Sequence, residues 1–234
     1  SSALVSKDNT TINKNTVLEI NFKQAISERS ELKFNNAISS PFETTLGLKE
    51  IKSSLLRAKK DDKIEGILLN TENITIGLAN LDELRNALID FKKSGKFIYA
   101  YADFLSQKSY FLASVADSIF LNPLGNLEFK GLASEVLYYG SFQEKYGAQM
   151  EVIREGNFKG AVEPFLQDEM SSENELQIQS VLNSLWSTFR QAIAISRNLN
   201  EDAVDSIAET LGASLPEEAL SQKLIDVLNY ENEV

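Results

Sequence analysis

The segment Arg154 to Phe165 reads REGNFKGAVEPF, and at its centre Lys159 stands among Phe158, Ala161, Val162 and Phe165. A lysine set among apolar neighbours loses hydration, which disfavours its ammonium form and lowers its pKa. Only a neutral amine can take the proton of a serine hydroxyl, so this is the setting that makes a lysine a general base. A lysine beside hydrophobic residues also commonly snorkels to water, and the residues alone leave both roles open. A second segment, Ala102 to Ala113 (ADFLSQKSYFLA), carries Ser106 and Ser109 on a strand-to-helix turn. Such a turn offers unpaired N–H groups that can stabilise an oxyanion, while its serines serve equally as helix caps or solvated polar groups. Nothing adjacent in sequence activates either hydroxyl.

Composition narrows the chemistry further. The 234 residues contain no His and no Cys. That excludes Ser-His-Asp and Cys-His catalysis within the chain, thiol nucleophiles, and Cys/His zinc sites. Covalent catalysis would need Lys, a carboxylate or an N-terminal amine as its base. The net charge of −11 argues against nucleic-acid binding, which needs clustered Lys and Arg. A hydrophobic fraction of 43% suits a globular core. From Glu201 onward there are nine acids and one base, Lys223, and this reads as solvated helical faces rather than an acidic partner surface. The basic stretch Lys49, Lys52, Arg57, Lys59, Lys60 and Lys63 reads the same way. No apolar run approaches the ~20 residues that span a bilayer. The chain opens with Ser1, so it reads as a processed or excised piece whose parent could carry a preceding anchor.

The elements that must position these residues come from periodicity. Residues 1–15 are polar and aperiodic, a flexible lead-in. Thr16 to Phe22 alternates as a strand, and Ser27 to Thr45, with Pro41, reads as a long loop. A strand–helix rhythm then begins, with a helix over 46–60, a strand over 64–69, a helix over 78–93 and a strand over 97–101. It continues with a helix over 104–116 and a strand over 118–121 closed by Asn122-Pro123. Beyond lie a helix over 137–146, a strand over 149–154 and a long helix from Ser172 to about Leu199, with Ser172 and Glu175 at capping-box spacing. Its stripe of Leu182, Leu185, Trp186 and Phe189 reads as core packing. Helices starting at Asn200 and Pro216, and a strand within 224–228, complete the chain. Short apolar strands alternating with helices predict an α/β fold with a mainly parallel sheet and surrounding helices.

Taken together, the run GKFIYAYADFLSQKSYFLASVADSIFLNP (Gly95 to Pro123), the Gly131-Leu132 pair and REGNFKGAVEPF resemble the amino-terminal domain of the long, two-domain signal peptide peptidase A, or protease IV, family. Weaker similarity extends over most of the chain from about residue 16. The element Gly-x-[Tyr/Phe]-Lys-x-Ala-x-Glu-Pro-Phe is centred on that family's general-base lysine, so the resemblance implies that Lys159 is the base of a Ser/Lys dyad. In the family's nucleophile-bearing domains the turn reads Ser-Gly-Gly-Tyr-Tyr. Aligning Tyr110-Phe111 with the paired aromatics puts Gln107 in the nucleophile's place, with Lys108-Ser109 where the glycines stand. Asn73 to Asn80 has no good match to the Gly-Gly loop of an oxyanion hole.

The resemblance therefore implies a ClpP/crotonase-like peptidase domain over 16–234, inactive alone, that completes its site with a second, serine-bearing domain of the same protein. It further implies cleaved signal peptides as substrate, a homo-oligomer, and a membrane anchor in the parent. The catalytic domains would lie on the periplasmic or extracytoplasmic side of a bacterial inner membrane, with no metal or cofactor. Two other readings stay open. A crotonase-type acyl-CoA hydratase or isomerase would use a carboxylate such as Glu135 or Glu163, though neither a paired-glutamate arrangement nor a basic CoA site is visible. A non-catalytic assembly module would bury Lys159 at an interface.

Overall fold

The computed structural model describes residues 12–22, 24–30, 32–34, 42–44, 46–72, 74–147, 150–151 and 160–234. Strand β1 (Thr16–Asn21) is followed by two short ladders. In one, β2 (Ile26–Ser27) pairs in parallel with β5 (Leu46–Gly47), and in the other β3 (Leu32–Phe34) pairs antiparallel with β4 (Phe42–Thr44). The stretch expected to be a loop thus carries regular structure. Its strands run two or three residues, too short for alternation to register.

From there the expected rhythm holds. Helix α1 (Leu48–Lys60) leads to β6 (Ile64–Asn70), α2 (Leu78–Lys92), β7 (Phe97–Leu105), α3 (Gln107–Ala113) and β8 (Ser118–Leu127). The main sheet runs β1-β6-β7-β8-β9, every pairing parallel, with β9 (Val227–Leu228) returning from the far end of the chain. Its central strands bury Ile67, Leu69, Ile98, Ala100, Ile119 and Leu121 completely, as expected where helices cover a parallel sheet. One helical layer joins α1, through Leu48, Ile51 and Leu55, to α2, through Leu81, Leu84, Leu88 and Phe91. Ion pairs Lys52–Glu83 and Lys59–Asp90 cross between the two helices, so part of the basic α1 face is paired rather than simply solvated.

Strand β8 does not stop at Asn122-Pro123. Leu121 faces Ala102 and Asn126 faces Phe104, so residues 122–125 bulge out opposite Asp103 alone. Proline lacks an N–H, and a bulge needs none from it. A Cβ on Gly125 would lie 2.1 Å from the Asp103 carbonyl oxygen, so only glycine lets the two backbones approach this closely. The bulge is braced by Asp103 Oδ1, which accepts from Tyr101 Oη at 2.7 Å and from Asn122 Nδ2 at 2.7 Å. Burial, together with the Asp103 hydrogen bond, pushes the Tyr101 phenol up to about 12.

Because β7 continues through Leu105 to pair with Leu127, the helix expected from residue 104 starts only at Gln107. Helix α4 (Gly140–Tyr146) likewise starts later than residue 137, since the Tyr139 N–H is drawn to Pro164 O at 2.7 Å. The strand expected over 149–154 lies mostly outside the described residues, and Met150 and Glu151 belong to no strand. After a 3₁₀ turn at Gly160–Val162 come α5 (Glu163–Leu166), α6 (Ser172–Arg197), α7 (Glu201–Thr210) and α8 (Pro216–Ser221). Helix α6 is capped by Ser171, not Ser172: Ser171 Oγ accepts from Asn174 N at 3.2 Å. Asn200 caps α7 as expected, accepting from Asp202 N at 2.9 Å. In the α6 stripe Phe189 is buried, while Leu182, Leu185 and Trp186 are only half-buried. Several acids beyond residue 200 are structural rather than merely solvated: Asp205 pairs with Arg190, and Asp226 pairs with Arg197.

Candidate active site

The turn between β7 and α3 forms at the carboxyl end of a central strand, where parallel sheets place their chemistry. Ser106 caps α3, its Oγ accepting from Ser109 N at 3.2 Å and donating to Ser109 Oγ at 2.9 Å. Ser109 is only 1% exposed. Both hydroxyls are therefore engaged in building the turn, as the capping alternative expects. Gln107 projects its amide oxygen towards the chain beyond β8 and accepts from Lys130 N at 3.0 Å. The Lys108 ammonium reaches Ile76 O at 3.4 Å, across the segment where a Gly-Gly loop is missing. Ile74 and Ile76 are buried there, and Asn73 lies outside the described residues.

The two aromatics after the turn anchor it. Tyr110 is fully buried, and its hydroxyl donates to Leu224 O at 2.8 Å. Burial drives this phenol well above the ordinary tyrosine range, so it stays protonated. The Phe111 ring packs 4.3 Å from that of Phe189 on α6. Arg85 lies 4.6 Å over the same Phe111 ring and is only 2% exposed. Its Nη1 donates to Phe111 O and to Ser114 Oγ, the latter at 2.8 Å, and its Nη2 donates to Ala192 O at 2.9 Å and Ser196 Oγ at 2.6 Å. Burial lowers its pKa to about 10, against the opposing pull of Asp82, and it remains a cation. No salt bridge joins it to a carboxylate among the described residues. Four neutral oxygens near the carboxyl ends of α3 and α6 stand in, Phe111 O and Ser114 Oγ on one side and Ala192 O and Ser196 Oγ on the other.

Lys159 itself lies outside the described residues. The segment immediately after it is held by a buried acid, Glu163, which is 1% exposed. The Glu163 carboxylate accepts from Ser171 Oγ at 2.5 Å, Ser171 N at 3.2 Å and Asn174 Nδ2 at 3.0 Å. A buried carboxylate is tolerable only where such donors and a helix amino terminus offset its lost hydration. The acyl-CoA reading makes Glu163 a candidate acid/base. Its oxygens accept from Ser171 and Asn174 at the start of α6, and Glu135 is exposed. The role of Glu163 in holding α6 has no signal in the sequence, although its place in the Glu-Pro-Phe element marks the segment.

A cavity of about 630 Å³ lies elsewhere, between α1 and α2 over Leu48, Leu55 and Phe91, and contains none of the candidate residues. Among the described residues no group of three or more acids is placed to hold a metal ion, and no helix is long and apolar enough to cross a membrane.

A parallel-sheet α/β domain with a strand-to-helix turn of this kind defines the class. Residues 90–234 match peptidase family S49, and the chain belongs to that family, whose fold is ClpP/crotonase-like. It is 35% identical over 156 residues to a protease 4 from Haemophilus influenzae, covering 66% of this chain and 25% of that protein. A protease 4 from Salmonella typhi is 31% identical over 187 residues, 76% of this chain and 30% of the relative. The chloroplastic serine protease SPPA of Arabidopsis thaliana is 25% identical over 223 residues, 95% of this chain and 32% of the relative. The chain thus spans about a quarter to a third of the length of these curated relatives.

Proposed function

We propose that this chain is the amino-terminal, base-bearing domain of a serine/lysine-dyad endopeptidase that degrades residual signal peptides at a bacterial inner membrane. Lys159 is its general base. The observation that carries this reading is the β7–α3 turn. Gln107, which the resemblance aligns with the nucleophile, accepts from Lys130 N, while Ser106 and Ser109 are bonded to each other. With both turn hydroxyls committed, the attacking serine comes from a second, homologous domain. The much greater length of the curated relatives supports that arrangement.

In this mechanism the neutral Lys159 amine takes the proton of the incoming serine as its oxygen bonds to the scissile carbonyl carbon. The resulting ammonium gives that proton to the departing amine as the C–N bond breaks. Water then repeats the cycle on the acyl ester, with the amine again receiving and returning the proton. No metal or cofactor enters these steps.

An apolar surface supports the second domain and a homo-oligomer as partners. Leu137, Phe142 and Tyr146 are 74%, 59% and 65% exposed, and Leu176 on α6 is 68% exposed. The Phe142 and Tyr146 rings lie 4.7 Å apart, and contiguous exposed apolar groups of this kind mark protein contacts. The membrane anchor belongs to the parent protein, with the catalytic domains on the extracytoplasmic side.

The test is turnover of a signal-peptide substrate by the full-length parent protein and by Lys159→Ala. The variant should lose activity by ~10⁴-fold or more, with oligomeric state unchanged, and the isolated chain should be inactive. Parent-like turnover by Lys159→Ala would refute the assignment and leave the assembly-module reading in its place.

A further inference from the structure

Residues 131–134, which follow β8, wall two adjoining pockets against α6 and α7. The first, about 310 Å³, has apolar walls of Leu132, Leu182, Trp186 and Ala208 and carries the carboxylates of Asp205 and Glu209. The second, about 320 Å³, shares Leu182, adds Ile178 and Val181, and is lined by no charged residue. Trp186 is half-buried, and its Nε1 donates to Asp205 Oδ1 at 2.7 Å, which fixes the indole in the pocket wall. Arg190 pairs with Asp205 at 2.8 Å and with Glu201 at 2.9 Å, so one guanidinium is shared between two carboxylates. Glu209 is exposed and has no ion-pair partner among the described residues. Three carboxylates around one cation leave this corner negative. The pocket also adjoins the β7–α3 turn. The Trp186 ring lies 6.2 Å from that of Phe129, which meets Tyr110 edge-on at 5.5 Å, and the next residue, Lys130, donates its N–H to Gln107.

We propose that the first pocket binds a lysine or arginine side chain of the peptide substrate, with Glu209 as its counter-ion and Trp186 as its aromatic wall. This rests on the reading of the parent as a peptidase. Such side chains have an apolar stem and a charged head, and the pocket supplies apolar walls for the one and a carboxylate for the other. A cation beside an indole gains further attraction from the ring. A neutral apolar side chain in the same place would strip water from Glu209 without pairing it, and an anion would be repelled. The uncharged neighbouring pocket suits an apolar residue of the same peptide. Signal peptides carry a positively charged region next to an apolar one, and the two pockets together match that junction.

The experiment assays the full-length parent on twin peptides that carry either lysine or norleucine, its neutral counterpart, at each position in turn. At one position lysine should raise kcat/KM ~10-fold over norleucine, mainly through KM. Glu209→Gln should cut that preference to ~2-fold or less, and Glu209→Lys should invert it. Added salt should shrink the preference in the parent. Trp186 is the only tryptophan of the chain, so its emission reports on the pocket directly. In a titration of the 234-residue chain, the lysine peptide should shift that emission with half-saturation at a ~10-fold lower concentration than its norleucine twin.

A lysine preference at no position, or one that Glu209→Gln leaves intact, overturns the cation pocket; with Lys159→Ala inactive, the base assignment still stands. Full turnover by Lys159→Ala overturns the base assignment, and the lysine preference then judges the pocket by itself. If the parent cleaves none of the peptides, the peptidase reading falls and the Trp186 titration decides: equal half-saturation by the twin peptides rejects the pocket, and the expected gap upholds it.

Discussion

Replacing Arg85 by Met asks whether two helix ends can serve as the counter-ion of a buried guanidinium. The substitution keeps the apolar stem and removes four donated bonds, two to Phe111 O and Ser114 Oγ and two to Ala192 O and Ser196 Oγ. Hydrogen bonds from a charged donor contribute ~1.5–3 kcal/mol each when their loss strands the acceptor. The acceptors here are only partly stranded, because Phe111 O also accepts from Ser114 Oγ at 3.0 Å. Against the bonds stands the cost of burying the cation, visible in the lowering of its pKa to about 10. Removing the charge relieves that cost, so the net loss should fall to ~2–3 kcal/mol. At ~2–4 °C per kcal/mol for a chain of this size, the melting temperature should drop by roughly 4–12 °C. Arg85→Lys should be at least as harmful, since one ammonium cannot reach both helix ends and the charge stays buried. Thermal melts and urea midpoints at constant m-value read both variants. An Arg85→Met melt within about 1 °C of the parent would refute the idea that the two helix carboxyl termini are held together by this cation.

Gly125→Ala should destabilise the fold by ~1–3 kcal/mol, because its methyl would press on the Asp103 carbonyl; urea denaturation checks this, and an unchanged midpoint would mean the bulge relaxes freely. Alkaline stability offers a separate check. Tyr101 and Tyr110 have raised pKa values in the fold, so their unfolded forms release protons first, near the ordinary phenol value of 10.0. Stability should therefore be fully present below pH ~10 and fall as pH rises above it. Tyrosinate absorbance should show these phenols titrating only as the chain unfolds, and Tyr101→Phe should flatten the decline. A fold equally stable on both sides of that pH would count against the burial of these two phenols.

The sheet and its helices are legible in the sequence because their signals are local. Runs such as Ile64 to Leu69 and Phe97 to Tyr101 are apolar over the length of a buried strand, and Leu81, Leu84 and Leu88 repeat at helical spacing. Sequence and structure part where long-range pairing overrides local preference. Pro123 has the local character of a terminus, yet β8 passes it because β7 supplies partners on the far side of the bulge. Ser172 has the spacing of a cap, yet Ser171 takes that place because Glu163 draws its hydroxyl.

By itself the sequence determined the kinds of chemistry open to this protein. Without His or Cys, any serine chemistry assembled on this chain must lean on an amine or a carboxylate, and the Lys159 motif nominates the amine. Tertiary structure alone decided how the pieces around that motif are held. Glu163 meets Ser171 and Asn174 across the turn into α6, and Arg85 joins helix ends on α3 and α6 that lie far apart in sequence. Those contacts depend on desolvation and on helix dipoles brought together by folding, and neither exists in the extended chain.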